Sequence, residues 1–265
     1  MTAASFAEQV DSNEGSKAVD NKLAKLLIDV CRSQSVAVFG NVSIAVLLAA
    51  GIAWGYAYTH GQPLLNEAVT AYQLKSIEIF TQPTLWYAAI AGVWLFCSGI
   101  IAGFFDNRSD YLNLRQRLPF NPLLRKIMRP EPRRRLAAYI HKHYGSLMGN
   151  FIFGMLLGMT GYFGHLFGLP LDIRHVAFSS ANLGYAAISG HADIFTFMLG
   201  LASVLAIGMV NLVVSFSLAL AVALRSRGTR LGSMRNLLKS FWSQVKANPL
   251  ILLYPVQVNN KDNTK

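Results

Sequence analysis

Charge is scarce in this chain and acidic charge scarcer still: 14% of 265 residues are charged, with 13 Asp and Glu against 24 Lys and Arg. So little charge cannot cover a water-facing globule. With 53% apolar residues and a mean hydropathy of +0.36, the composition excludes an ordinary soluble domain. Cysteine is almost missing. Cys31 and Cys97 stand alone with no Cys-x-x-Cys spacing, which excludes a disulfide framework and a cysteine-ligated zinc site, and both read as small packing residues in or beside apolar runs. Metal-ligand spacing is lacking too. Among His141, His143, His165, His175 and His191 no pair stands at i, i+4 beside a carboxylate, so neither a metal nor a cofactor is expected. The first 20 residues are polar and mixed in charge, and no cleavable signal peptide is read there.

What the chain does have is long uncharged runs. Val36 to Tyr58 carries no charge over 23 residues, Thr84 to Phe105 none over 22, and Ile194 to Leu224 none over 31. Gly145 to Leu169 is a further apolar stretch. At about 1.5 Å per residue each can cross a hydrocarbon core of about 30 Å. The expected fold is therefore an all-α integral membrane protein with about four transmembrane helices. Val176 to Ser189 is apolar but short, and is expected to be a re-entrant or surface-lying helix. Residues 1–35 read as a polar N-terminus with a short amphipathic surface helix from Asn21. Residues 36–224 form the membrane domain, 106–144 its proline-broken basic loop, and 225–265 a basic tail. A short helix is expected between Pro63 and Pro83.

Lys and Arg choose the orientation. If 170–193 does not cross, the segments on one side carry 4, 10 and 8 of them and those on the other carry 1 and 1. By the positive-inside rule, both termini and the basic loop are expected on the cytoplasmic face of a bacterial inner membrane.

Several constellations could carry more than architecture. Asp172, Arg174 and His175 form a charged cluster before the short helix, able to bind a polar ligand or simply to cap the helix and pair locally, and the cap is favoured. Gly154, Gly158, Gly161, Gly164 and Gly168 fall on one side of a helix and read as a close-packing seam, within the chain or in a homo-oligomer. Asn150, Gly208, Asn211 and Ser215 could line a polar path, with interhelical hydrogen bonding the favoured role, and Asn41 invites the same two readings. Arg125, Lys126, Arg129, Arg133, Arg134 and Arg135 make a basic patch whose expected partners are the bilayer and anionic lipid headgroups. Aromatic interleaving is nearly absent there, so nucleic acid is not expected.

Three strings go beyond composition: YAAIAGVWLFCSGIIAGFFDNRSDY from Tyr87, GNFIFGMLLGMTGYFGHLFGLPLDIRHVAFSSANLGYA from Gly149 and GMVNLVVSFSLALAVALRSR from Gly208, followed by NPLILLYP. Over about residues 36–255 they resemble the C-terminal membrane region of a bacterial family called gonococcal-type site-specific recombinase. Typical members look longer, with an extended soluble region before the first span. The resemblance implies strand-exchange chemistry, but the catalytic pattern is not visible: no histidine has Arg three residues later, and the Arg-rich stretch is broken by prolines. The expectation is a non-enzymatic structural or scaffold protein, acting with copies of itself or a separate soluble partner. The alternatives are a small transporter or channel, and a membrane-tethered DNA-associated protein.

Overall fold

The computed structural model describes residues 16–226 and 234–252. The polar first 15 residues, Arg227, Arg230 and the tail from residue 253 lie outside the described residues. Within them every regular element is helical: α1 Ser16–His60, α2 Glu67–Ile77, α3 Thr84–Tyr111, α4 Leu114–Arg117, α5 Pro122–Ile127, α6 Pro130–Phe167, α7 Val176–Ile188, α8 Ile194–Ser226 and α9 Met234–Ala247. Short 3-10 turns cover Leu118–Phe120 and Pro249–Leu252. Four helices are long and apolar enough to cross a membrane: the Leu23–His60 part of α1, and α3, α6 and α8. The protein is an all-α membrane protein.

The amphipathic segment from Asn21 and the first apolar run are one helix, because no proline or glycine occurs from Ser16 to Phe39 to end it. The charges in this stretch are partly neutralised locally, with Arg32 bonded to Asp29 at 2.6 Å. At about 1.5 Å per residue the 45 residues of α1 reach roughly 67 Å, well beyond a bilayer. The projecting end is covered by α9, where Leu23, Ala24 and Leu26 pack with Leu237 and Phe241.

The basic stretch 106–144 is helical for most of its length rather than a loop. α3 continues to Tyr111, and Asn113, at φ 49, makes the left-handed turn into α4. Pro122 and Pro130 each stand at the first helical position, where the missing N–H is not needed, so two of the residues expected to break helices start them.

Neighbouring residues fix the register. α3 and α6 are antiparallel: a Cβ at Gly149 would lie 2.9 Å from that of Ala102, and Trp94 Nε1 donates to Thr160 Oγ1 at 2.8 Å. Along α8, Ile77 of α2 meets Gly200, while Asn211 and Val214 meet Gly92 of α3. α7 runs antiparallel to α8, with Val176 at Gly208 and Leu183 at Gly200, and parallel to α1, with Gly184 against Val46 and Ala49. Thus α1 and α8 run the height of the bundle unbroken. α2 and α3 succeed each other along one path interrupted at 78–83, and α6 and α7 along another interrupted at 168–175. The short helix α7 is enclosed: Val176, Ser179, Ser180, Leu183, Gly184 and Ala186 are all buried. Its core partners are Val38, Val42, Ile77, Ala88, Val204 and Ile207.

Candidate functional site

An interruption at mid-bundle leaves helix-end N–H and C=O groups without intrahelical partners, and in lipid no water replaces them. The two interruptions meet, and side chains supply what is missing. Asn211 lies about 26 Å along α8 from Ile194 and about 23 Å from Ser226, close to half-height. It is 1% exposed. Its Nδ2 donates to Ala88 O at 2.7 Å and Arg174 O at 3.1 Å, and its Oδ1 accepts from Val176 N at 3.1 Å. One carboxamide therefore ties α3, the 168–175 link and the start of α7 to α8.

Arg174 completes the joint. Its Nε donates to Ser76 O at 2.6 Å and its Nη1 to Ile173 O at 2.8 Å, while Nη1 also meets Asp172 Oδ2 at 2.7 Å. The guanidinium stands over the Tyr87 ring, 5.7 Å from its centroid, where a cation is attracted by the ring face. Thr84 Oγ1 donates to Glu78 O at 2.5 Å, closing the other interruption. Asp172 Oδ1 accepts from Ile173 N at 2.7 Å. His175 packs edge-on against Phe153 and Phe178, 5.2 and 5.9 Å between ring centroids. Gly168, at φ 62, ends α6 in the left-handed conformation that glycine adopts without strain, and Leu169 N donates to Gly164 O at 2.9 Å.

The residues singled out from sequence separate accordingly. Asp172, Arg174, His175, Asn211 and Gly208 come together, Gly208 through its contact with Val38 and Val176. Asn150 does not join them: it is exposed on α6, while Ser215 is half-buried on α8 and Asn41 exposed on α1. The glycines divide as well. Gly164 packs on Leu171, Gly161 has Asp172 at 4.0 Å, and Gly154 and Gly158 face nothing within 4 Å. Besides Gly164, the close approaches fall at Gly92, Gly145, Gly149, Gly184, Gly200 and Gly208. Arg125, Lys126, Arg129, Arg134 and Arg135 are exposed and Arg133 half-buried. Arg174, counted from sequence in an outer segment, sits inside the joint.

A second polar cluster has no sequence motif to announce it. Near the basic end Asp106 Oδ1 accepts from Gly145 N at 2.8 Å, and the buried Ser109 hydroxyl donates to His141 O at 3.2 Å. His141 Nε2 also faces Asp110 at 3.6 Å. This latches α3 to α6. No cluster of three metal-ligating side chains occurs among the described residues.

Fold and joint together define a multi-pass helical membrane protein with four long apolar helices, in which buried polar bonds at mid-height tie α3 and the link into α7 to α8. Within that class the chain belongs to the family described as "Site-specific recombinase", whose profile matches residues 1–255. The match includes the segment before the first apolar run. No curated protein and no solved structure matches the chain.

Proposed function

We propose that the chain is a structural, scaffold-type component of a bacterial cytoplasmic membrane, with both termini and the basic segment 106–144 on the cytoplasmic side. The observation that carries this reading is the joint itself. Asn211 and Arg174 spend their donors on backbone carbonyls of the interrupted helices, so the central polar groups serve the bundle's own cohesion. The orientation rests on the Lys and Arg asymmetry, which strengthens once Arg174 is taken out of the outer segments. Gly154 and Gly158 offer a bare helix face for assembly with another copy. Gly158→Leu is expected to abolish cross-linked oligomers of the full chain while leaving its thermal midpoint unchanged. Oligomers that persist in this variant contradict assembly through that face.

A second reading, a small transporter or channel, draws on one observation: interrupted helices meeting near mid-height are how many transporters build substrate and ion sites. It requires that Asp172→Ala leave folding intact and abolish a flux of ions or small osmolytes in proteoliposomes. The family's description supplies a third reading, membrane-tethered DNA association through Arg133, Arg134 and Arg135. That reading requires salt-sensitive duplex binding that disappears when the three become Gln.

A further inference from the structure

At the basic end of the bundle, α4 and the 3-10 turn after it fold back across the first turns of α6. Asn113 makes this return possible through its left-handed backbone, and Pro119 is buried where the turn meets the bundle. Between them lies a cavity of about 500 Å³ lined by Arg115, Gln116, Pro119, Phe120, Arg134 and Ala138. No carboxylate lines it. Among the described residues neither Arg115 nor Arg134 has an ion-pair or hydrogen-bond partner, and Glu131, on the same turn of α6, is engaged by Arg135 at 3.5 Å. Arg133, which precedes Arg134, has its Nε buried with no acceptor among the described residues. Arg115 and Arg134 are both exposed and line one open cavity without a counter-charge, so an anion entering it meets two unpaired cations. Planar N–H forks match the oxygens of a phosphate, and Gln116 adds a neutral donor.

The neighbourhood tells which phosphate. Phe120, on the 3-10 turn, and Leu123 and Ile127, on α5, are 71%, 67% and 79% exposed, beside Arg115 and Arg117 of α4 and Arg125 and Lys126 of α5. Large apolar side chains among cations are costly in water and suited to a membrane surface, where the rings and branched chains enter the acyl boundary and the cations stay among the headgroups. We propose that the Arg115–Arg134 cavity is a binding site for the phosphodiester headgroup of an anionic phospholipid, holding the segment 114–127 against the membrane. The site differs from the joint at Asn211 and does not depend on the scaffold reading.

The test measures binding of phosphatidylglycerol, phosphatidylcholine and inorganic phosphate to the purified full chain in nonionic detergent. Arg115→Gln/Arg134→Gln is compared with Arg125→Gln/Lys126→Gln, which removes the same charge from the same basic stretch 106–144 but outside the cavity. The cavity double variant is expected to lose about thirtyfold in phosphatidylglycerol affinity, roughly five- to sixfold per cation, and the control double less than about threefold. Arg115→Lys, which keeps the charge but not the fork, is expected to fall between them. All four altered positions are exposed, so the thermal midpoint should not move. Equal losses in the two double variants overturn the proposal in favour of diffuse attraction. Equal affinity for phosphatidylglycerol and phosphatidylcholine overturns it, and so does inorganic phosphate binding in place of the lipid, which would assign the cavity to a soluble phosphate. Displacement of phosphatidylglycerol by duplex DNA, lost in the cavity double variant, overturns it in favour of nucleic acid.

Discussion

Replacing Asn211 by Leu leaves Arg174 O and Val176 N without their partners, at a depth where water cannot substitute, and removes the second bond to Ala88 O, which keeps its own bond within α3. Polar contacts between membrane helices are often worth less than 1 kcal/mol each, but two orphaned backbone groups with the lost bond to Ala88 O are expected to cost about 2 kcal/mol together. Reversible unfolding in mixed micelles measures this, and a loss indistinguishable from zero would contradict the pinning role. Glycines permit a sharper contrast. A Cβ at Gly184 runs into Val46 O of α1, whereas one at Gly158 meets nothing. Gly184→Ala should therefore destabilise by about 1–3 kcal/mol through overpacking, and Gly158→Ala should be neutral or slightly stabilising, since Ala is the better helix former. The same two unfolding titrations decide it.

At the scale of elements, the sequence shows the helices plainly and their partners poorly. The uncharged runs mark the starts of α3 and α8 and the end of α8 to within two residues, because charge is expelled from a bilayer wherever the helix lies, but they stop six residues short of the end of α3, which runs on into the basic stretch. Pro83 and Pro170 point to the interruptions. That the interruptions meet is not written in any local pattern: Asn211 looks like one polar residue in an apolar run, and its partners are backbone groups of Ala88, Arg174 and Val176. The glycine periodicity of α6 is similarly silent about which glycines touch another helix. The prolines at 122 and 130 mislead in the opposite direction, since a first-turn proline and a helix-breaking proline are the same residue in different places. The joint makes its own expectation. Arg174→Gln removes the bond from Nε to Ser76 O, so backbone amides around 78–83 are expected to exchange faster with solvent deuterium while those of α1 do not change. Uniform exchange across both would mean that Arg174 does not hold the interruption closed.

For the whole molecule, the two unbroken helices act as posts and the two interrupted paths are fitted between and beside them. In lipid, helix association gains nothing from the hydrophobic effect, so cohesion falls to close contacts at small residues, which join α1, α3, α7 and α8 and join α3 to α6, and to polar bonds, which tie α3 to α6 and α3 and α7 to α8. Orientation is tested with Cys31 and Cys97 replaced by Ser and single cysteines introduced at Gln62, Asn121 or His191. An impermeant thiol reagent added outside intact cells is expected to label positions 62 and 191 and to spare 121, and the reverse pattern would invert the topology. Although Asp172 at their edge is 43% exposed, the scaffold reading requires the polar bonds around Asn211 to be closed to water. Ala88, fully buried beside Asn211, reports on it directly. In the same cysteine-free background, Ala88→Cys should resist a small water-soluble methanethiosulfonate applied from both sides, under conditions that label a cysteine at position 62 or 121. Modification at position 88 from either side would place water at the joint and make it a wetted path.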